Sequence, residues 1–496
     1  MHPLRRLKIA AIVPLCFVAA LIVVRQGIIE YYRLELAQEL KFLATETGAT
    51  TIGELAPKPP AGTPDNPAHV IKWEDLNCPM PEARDSYEAT FVTPDSSPTS
   101  EPDQGQAYSE FTNWLRLELA PDARTKANRW RPPQFNYWND QWVPPLQSIV
   151  DACESPLARV KREAELGTGY FERDWSATQF KGAPRLVFPE CTALRNAARL
   201  LQVEAVLKAR GGDMKGAFED VLVMLRLRRF IDDYPVEAAK LMAIGLDDIA
   251  FSTIKGVLVY GCADKEQAEA LYKELGGREA ANSLYRPLLG ATVAGIMTYD
   301  AARKDIVVLG GANPFVVQAF GSDFVGQEEV IESRLARFGM RFIWLDTRDE
   351  YHYLRAMDFA RKTSKLPCAD SAVAFNKQLV RSRTQISWLG MDPLDFMSYH
   401  LVGWNTPAQM GQASARTALA RAAVALARYK SDNGAYPSSL AELAPEYLPQ
   451  IPIDPCDGTP LKYTPNGKGY TIYSSGADGV NGGGAYYSDV IWESGE

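Results

Sequence analysis

No C-x-x-C pair occurs among the seven cysteines, which removes zinc ribbons and thioredoxin-like redox sites from consideration. Histidine is scarce: four in 496 residues, with no H-E-x-x-H, so metal-assisted hydrolysis has few ligands to draw on. The chain has no Walker loop and no dinucleotide fingerprint, and "AFGSDFVG" misses the G-x-S-x-G spacing of a nucleophile elbow. Positive charge is short as well. A net charge of −8 offers no basic surface for neutralising phosphates, so no nucleic-acid partner is expected. What remains is ordinary globular composition, 46% hydrophobic and 23% charged, in a chain long enough for about two to four domains and a large core.

The N-terminus carries the clearest location signal. After "MHPLRRLK" comes "IAAIVPLCFVAALIVV", Ile9 to Val24, without a charge. As a helix this run spans roughly 24 Å, short of the ~30 Å hydrocarbon core. Arg25 can snorkel, and Gly27, Ile28 and Ile29 can extend the span. No small-x-small cleavage site follows, and Leu15 before Cys16 fits poorly with a lipoprotein signal. An uncleaved single-pass anchor over residues 1–30 is therefore expected, in preference to a cleaved signal or a buried helix. Arg5, Arg6 and Lys8 on the cytoplasmic side place the bulk of the chain on the periplasmic or extracytoplasmic side of the cell membrane. Export would also allow disulfides among Cys78, Cys153, Cys191, Cys262, Cys368 and Cys456.

Residues 31–106 read as a helical extension, "IIEYYRLELAQELKFL", followed by two Pro/Ser-rich linkers, Ala56 to Pro67 and Thr93 to Gln106. Residues 107–405 read as a large helical domain. Its aromatic-rich entrance holds Trp130, Phe135, Tyr137, Trp138 and Trp142, which suit packing onto a core better than a glycan platform. Leu194, Ala197, Ala198, Leu201 and Ala205 share one helix face that stops at Gly211-Gly212. Asp213 caps the next helix, with Phe218, Val221, Leu222 and Leu225 at helical spacing. Leu246, Ile249, Ala250, Thr253 and Val257 mark a third helix, and Asp264 with Gln267 a capping box. The hairpin "GGDMKGAFEDVL" resembles the turn of a tetratricopeptide repeat, with Ala205 and Ala217 at the crossing. No 34-residue period recurs, so the region is repeat-like and not a solenoid. In "DEYHYLRAMD", His352 lies near Asp349, Glu350 and Asp358; without a nucleophile, a surface ion pair is the simpler reading than a general base, and His400 has the same standing.

Residues 406–496 form a small α+β unit by pattern. Thr406 and Pro407 open a helix whose Leu419, Ala422, Ala423, Leu426 and Tyr429 make one apolar face, ended by Gly434. Then come a short helix, an irregular loop and two strands, "YTIYS" alternating as a half-buried antiparallel strand should. The order "ALARYKSDNGAYPSSLAEL", "LPQIPIDPCDGTPLKY", "GYTIYSSGADGVNGG", "SDVIW" resembles the soluble domain of the type II secretion major pseudopilin. The resemblance implies a long helix packed on a small antiparallel sheet, with calcium in the last loop. Asp478 matches the aspartate of the family's G-A-D-G element and Asp489 that of its closing A-D-I. Main-chain carbonyls around Ser474, Ser475 and Val480 would complete the shell. Cys456 stands where the family carries tryptophan, and the membrane segment that adjoins the family's long helix is here nearly 400 residues away. Assembly into a fibre is therefore not expected.

The fold class expected is mainly α: a membrane anchor, a large helical repeat-like domain and a small pseudopilin-like end. The function expected is a membrane-anchored, non-catalytic envelope protein whose helical domain engages a protein or peptide partner. A component associated with a type II secretion-like apparatus and an envelope hydrolase are the alternatives.

Overall fold

Gly212, at φ +89°, is a backbone geometry that glycine adopts without strain, and the turn it makes joins the two helices at the centre of the fold. The computed structural model describes the chain apart from residues 1–2, 50, 82–102, 120–139, 176–187, 277, 279–283, 304–344, 367–369, 372–373, 375–405, 467–468, 477–479, 484–488 and 495–496. The chain is mainly helical. The described helices are α1 (Pro3–Thr47), α2 (Gln104–Leu119), α3 (Val143–Ala152), α4 (Glu154–Leu166), α5 (Pro189–Arg210) and α6 (Met214–Leu227). They continue with α7 (Glu237–Leu258), α8 (Lys265–Gly276), α9 (Tyr285–Arg303), α10 (Leu345–Thr363) and α11 (Thr406–Asn433). The described strands form two small sheets: β1 (His69–Val70) runs parallel to β2 (Gly169–Tyr170), while β3 (Lys462–Pro465), β4 (Tyr470–Ser474) and β5 (Val490–Ser494) are antiparallel in that order.

Helices α5, α6 and α7 pack on one another and supply most of the core. Leu194, Leu201, Ala205, Ala217, Phe218, Val221, Leu246 and Val257 are all closed to solvent. Each large apolar side chain among them contributes on the order of 1.5–3 kcal/mol. The local signals hold. Asp213 accepts from the Gly216 amide at 2.9 Å, and the Asp264–Gln267 box is formed in both directions. Helix α7 lies against both α5 and α6, so the three helices enclose one core.

Other expectations need correction. The stretch between α1 and α2 is not all detached linker: Ile71, Leu76 and Cys78 are buried in the main core, and the helical turn Trp73–Leu76 packs on α4 and α5. Gln104 to Gln106, assigned to the second linker, begin α2. Helix α11 is buried on more than one face: Ala415, Ala420, Ala422, Ala423, Val424, Ala425 and Leu426 are all closed to solvent. Its alanines let α7 and α8 approach one side and β4 and β5 another, which a wider side chain would prevent. The expected alternation in β4 is present, with Tyr470 and Ile472 inward, and a third strand, β5, completes the sheet.

Helix α1 runs about 67 Å at 1.5 Å per residue. Its second half packs on α10 through Leu36 and the Glu39–Arg355 pair at 3.1 Å. Among the described residues no helix is long and apolar enough to cross a membrane. The expected anchor falls largely on residues 1–22, whose side chains lie outside the described ones; Val23 and Val24, at the end of its apolar run, are exposed.

Candidate functional site

A cleft of about 400 Å³ opens between α3, α4 and α5. Val150, Leu157 and Leu207 form its apolar walls, and Lys161, Glu204 and Lys208 its polar floor. The floor is a closed ring of charges from three helices. Lys161 of α4 reaches Glu204 at 2.7 Å and Asp220 at 2.8 Å, while Lys208 reaches Glu204 at 2.8 Å and Asp220 at 2.7 Å. Glu204 and Lys208 stand one helical turn apart in the favourable acid-first order. Burial alone would raise the Glu204 carboxyl, but the bonds from both lysines outweigh it and hold the group below the usual carboxylate range. Asp220 goes the other way. Its deeper burial and the neighbouring Glu204 charge push it up despite the same lysines.

The ring balances itself, two positive charges against two negative. Asp151 and Glu154, at the ends of α3 and α4 that meet at Cys153, are exposed at the mouth and leave it with a surplus of negative charge. Both lysines bond the same oxygen of Glu204, Oε1; Oε2 is buried and has no donor among the described residues.

The sequence-based candidates are divided between two places. Asp478 lies outside the described residues. Asp489 is nearly buried and accepts from the Gly482 amide at 3.1 Å. Val480 is exposed. Ser474 and Ser475 are buried and turned to a different centre: the Ser474 hydroxyl donates to Asp454 at 2.6 Å, and the Ser475 hydroxyl to Asp457 at 2.6 Å. Asp454 also accepts from the amides of Cys456 and Ser475 and from Lys462 Nζ, which bridges to Asp457. The signal for this centre in the sequence is "DPCDGTPLK", which carries its three charged members within nine positions. The described part of the last loop therefore offers calcium one carboxylate, Asp489. Among the described residues no group of three histidines, cysteines or acids comes together for a metal.

The histidine candidates are tied into the fold. His352 forms a three-ring cluster with Tyr32 and Tyr351, with centroids at 5.8 and 5.4 Å from its own and 5.6 Å from each other. Asp358 pairs with Lys362 at 2.7 Å, and His400 lies outside the described residues. The structure adds a pair that spacing could not reveal. His69 Nε2 meets the buried Glu163 at 2.6 Å across 94 positions, and its Nδ1 faces the Pro67 carbonyl at 3.4 Å. With both nitrogens on protein acceptors, that imidazole anchors β1 to α4 and is not offered to a substrate. Of the aromatic cluster, Trp142 is buried and donates to Glu110 at 2.5 Å, as packing requires; Trp130, Phe135, Tyr137 and Trp138 lie outside the described residues. Compared with protein-family models, with curated proteins and with solved structures, the chain matches none of them.

Proposed function

We propose that this chain is a non-catalytic binding protein of the cell envelope, held to the membrane through Ile9 to Val24, whose helical region takes up a basic peptide segment of a partner protein. The observation that carries the reading is the charge distribution of the cleft between α3, α4 and α5. Its floor is self-neutralised, so Asp151 and Glu154 set the sign seen by an arriving ligand. A lysine or arginine side chain suits such a site: its aliphatic stem lies on Val150, Leu157 and Leu207 while its head stays at the acidic mouth. Rotation of the Glu204 carboxylate would present its unbonded oxygen to a donor from the ligand. The C-terminal unit is proposed as a pseudopilin-like module with calcium in its last loop; α11 packed on the antiparallel β3–β5 sheet supports this, since a long helix on a small sheet is what the resemblance implies.

The test is fluorescence anisotropy of the full chain in detergent with three labelled octapeptides, carrying three lysines, no charge or three glutamates. Two exposed ion pairs of ~0.2–1 kcal/mol each predict a preference of about two- to thirtyfold for the basic peptide over the neutral one. That preference should fall as salt is added. Equal binding of all three, or none, would refute the reading.

A further inference from the structure

Cys153 occupies the single residue between α3 and α4, so its position fixes the angle at which two walls of the cleft meet. Its amide bonds the Val150 carbonyl at 3.0 Å and its carbonyl takes the Leu157 amide at 3.0 Å, holding that junction tightly. Cys78 approaches from the coil that follows the helical turn Trp73–Leu76. Its thiol donates to the Leu76 carbonyl at 3.6 Å, and the Cys153 thiol to the Pro79 carbonyl at 3.8 Å, beside Cys78. The Cys153 thiol thus reaches the residue that follows Cys78, and both cysteines are closed to solvent in the main core. The other described cysteines differ: Cys191 lies by Glu190 and Arg173, Cys456 donates to the Gly411 carbonyl at 3.7 Å, and Cys262 is half-buried.

We propose that Cys78 and Cys153 join as a disulfide when the chain folds in oxidising surroundings, and that this cross-link locks the α3–α4 junction at the cleft. The oxidant is a disulfide, of low molecular weight or carried by a protein. One cysteine, as thiolate, attacks a sulfur of that disulfide and releases a thiolate. The second then displaces the other half from the mixed disulfide. Two cysteine thiols become one S–S bond, two protons leave, and the oxidant is reduced to two thiols. Because both sulfurs are sealed in the folded core, the exchange belongs to folding, before the coil at Cys78 closes over the junction. The bond closes a loop of about 75 residues, the length range in which a cross-link constrains the unfolded chain strongly.

The experiment unfolds the full chain in denaturant with reductant and refolds it in a buffer of oxidised and reduced glutathione. Free thiols are then alkylated under denaturing conditions, and the protein is digested without reduction for mass spectrometry. The expected product is a peptide pair linked through Cys78 and Cys153. Reducing the refolded protein should lower its melting midpoint by roughly 5–10 °C. A Cys78→Ala/Cys153→Ala double variant should melt near the reduced protein and lose that response. Alkylation of both residues after refolding, or their linkage to other cysteines, overturns the proposal. Should the double variant fail to fold, the peptide map decides alone. The proposal is independent of the cleft's occupant, since a missing cross-link leaves the peptide preference to stand or fall separately.

Discussion

Two charge clusters in this chain are built with opposite stoichiometry. In the helical core cations outnumber carboxylates: Asp247 of α7 joins Arg228, which follows α6, to Arg278, just beyond α8, at 2.6 Å, while Arg228 also holds Asp232 at 3.0 Å, a carboxylate it shares with Lys240. In the C-terminal unit one ammonium serves two carboxylates, Lys462 bridging Asp454 at 2.8 Å and Asp457. Asp247, Arg228 and Arg278 are all buried. Lys462 and Asp457 keep part of their surface in water, and only Asp454 is fully enclosed. The comparison separates two uses of charge. The core triad joins three helices and has no solvent to fall back on, whereas the C-terminal triad pins a loop to strand β4 and remains accessible to protons.

The largest effect should come from the core. Asp247→Ala leaves buried Arg278 with only the carbonyls of Leu225 and Glu274 and buried Arg228 with Asp232 alone, and breaking a buried pair in this way costs about 3–5 kcal/mol. Urea unfolding of the full chain reads it as a lower midpoint. Asp454→Ala removes an acceptor of four hydrogen bonds but leaves Lys462 still paired with Asp457 and partly solvated, so a smaller loss of about 2–3 kcal/mol is expected. An order of effects opposite to this would mean that the core arginines find other acceptors.

The accessible triad should also respond to acid. Burial acts to raise Asp457, but the bonds from Lys462, Ser475 and Thr459 outweigh it and hold the carboxyl well below its usual range. Its folded-state affinity for protons is thus lower than in the unfolded chain, where it titrates near ~3.9. The stabilisation it brings is complete above that value and is lost as the pH falls from about 4 toward the lower folded value. Melting of the wild type should decline across that window, and Asp457→Asn should decline less steeply. Parallel curves would show that the bonds around Asp457 differ little between folded and unfolded states.

What could be read from the sequence divides along the same line. The caps at Asp213 and Asp264, the turn at Gly212 and the alternation of β4 were legible because their partners lie within a few residues. The Lys161–Asp220 contact of the cleft and the Arg278–Asp247 pair depend on which helix faces meet, and periodicity does not encode that. Helix α11 read as one-faced because alanine marks apolar faces weakly, yet its alanines are what allow burial on several sides. At the C-terminus, the main-chain carbonyls expected to face an ion left the hydroxyls of Ser474 and Ser475 unassigned, and these bond Asp454 and Asp457.

The smallest effect is expected from calcium. Modest affinity, on the order of 10⁻⁴ to 10⁻³ M, gives roughly 0.4–1.4 kcal/mol at millimolar ion. Because α11 shares the core with α7 and α8, the measurement belongs on the full chain: melting with calcium against chelator, and the same for Asp489→Ala, which should lose the difference. Identical melting of the wild type under both conditions would leave the loop as a turn.

Selection of a ligand by the charge at the mouth of the cleft, as proposed above, can be read on its own. The most direct test reverses that charge with Asp151→Lys and Glu154→Lys together, both exposed and outside the ring on the floor. The three-peptide anisotropy titration is then repeated on folded variant and wild type. The variant should prefer the glutamate peptide, and the basic peptide should lose about tenfold in affinity or more. An unchanged preference for the basic peptide in the variant would contradict it and move the binding surface elsewhere on the molecule.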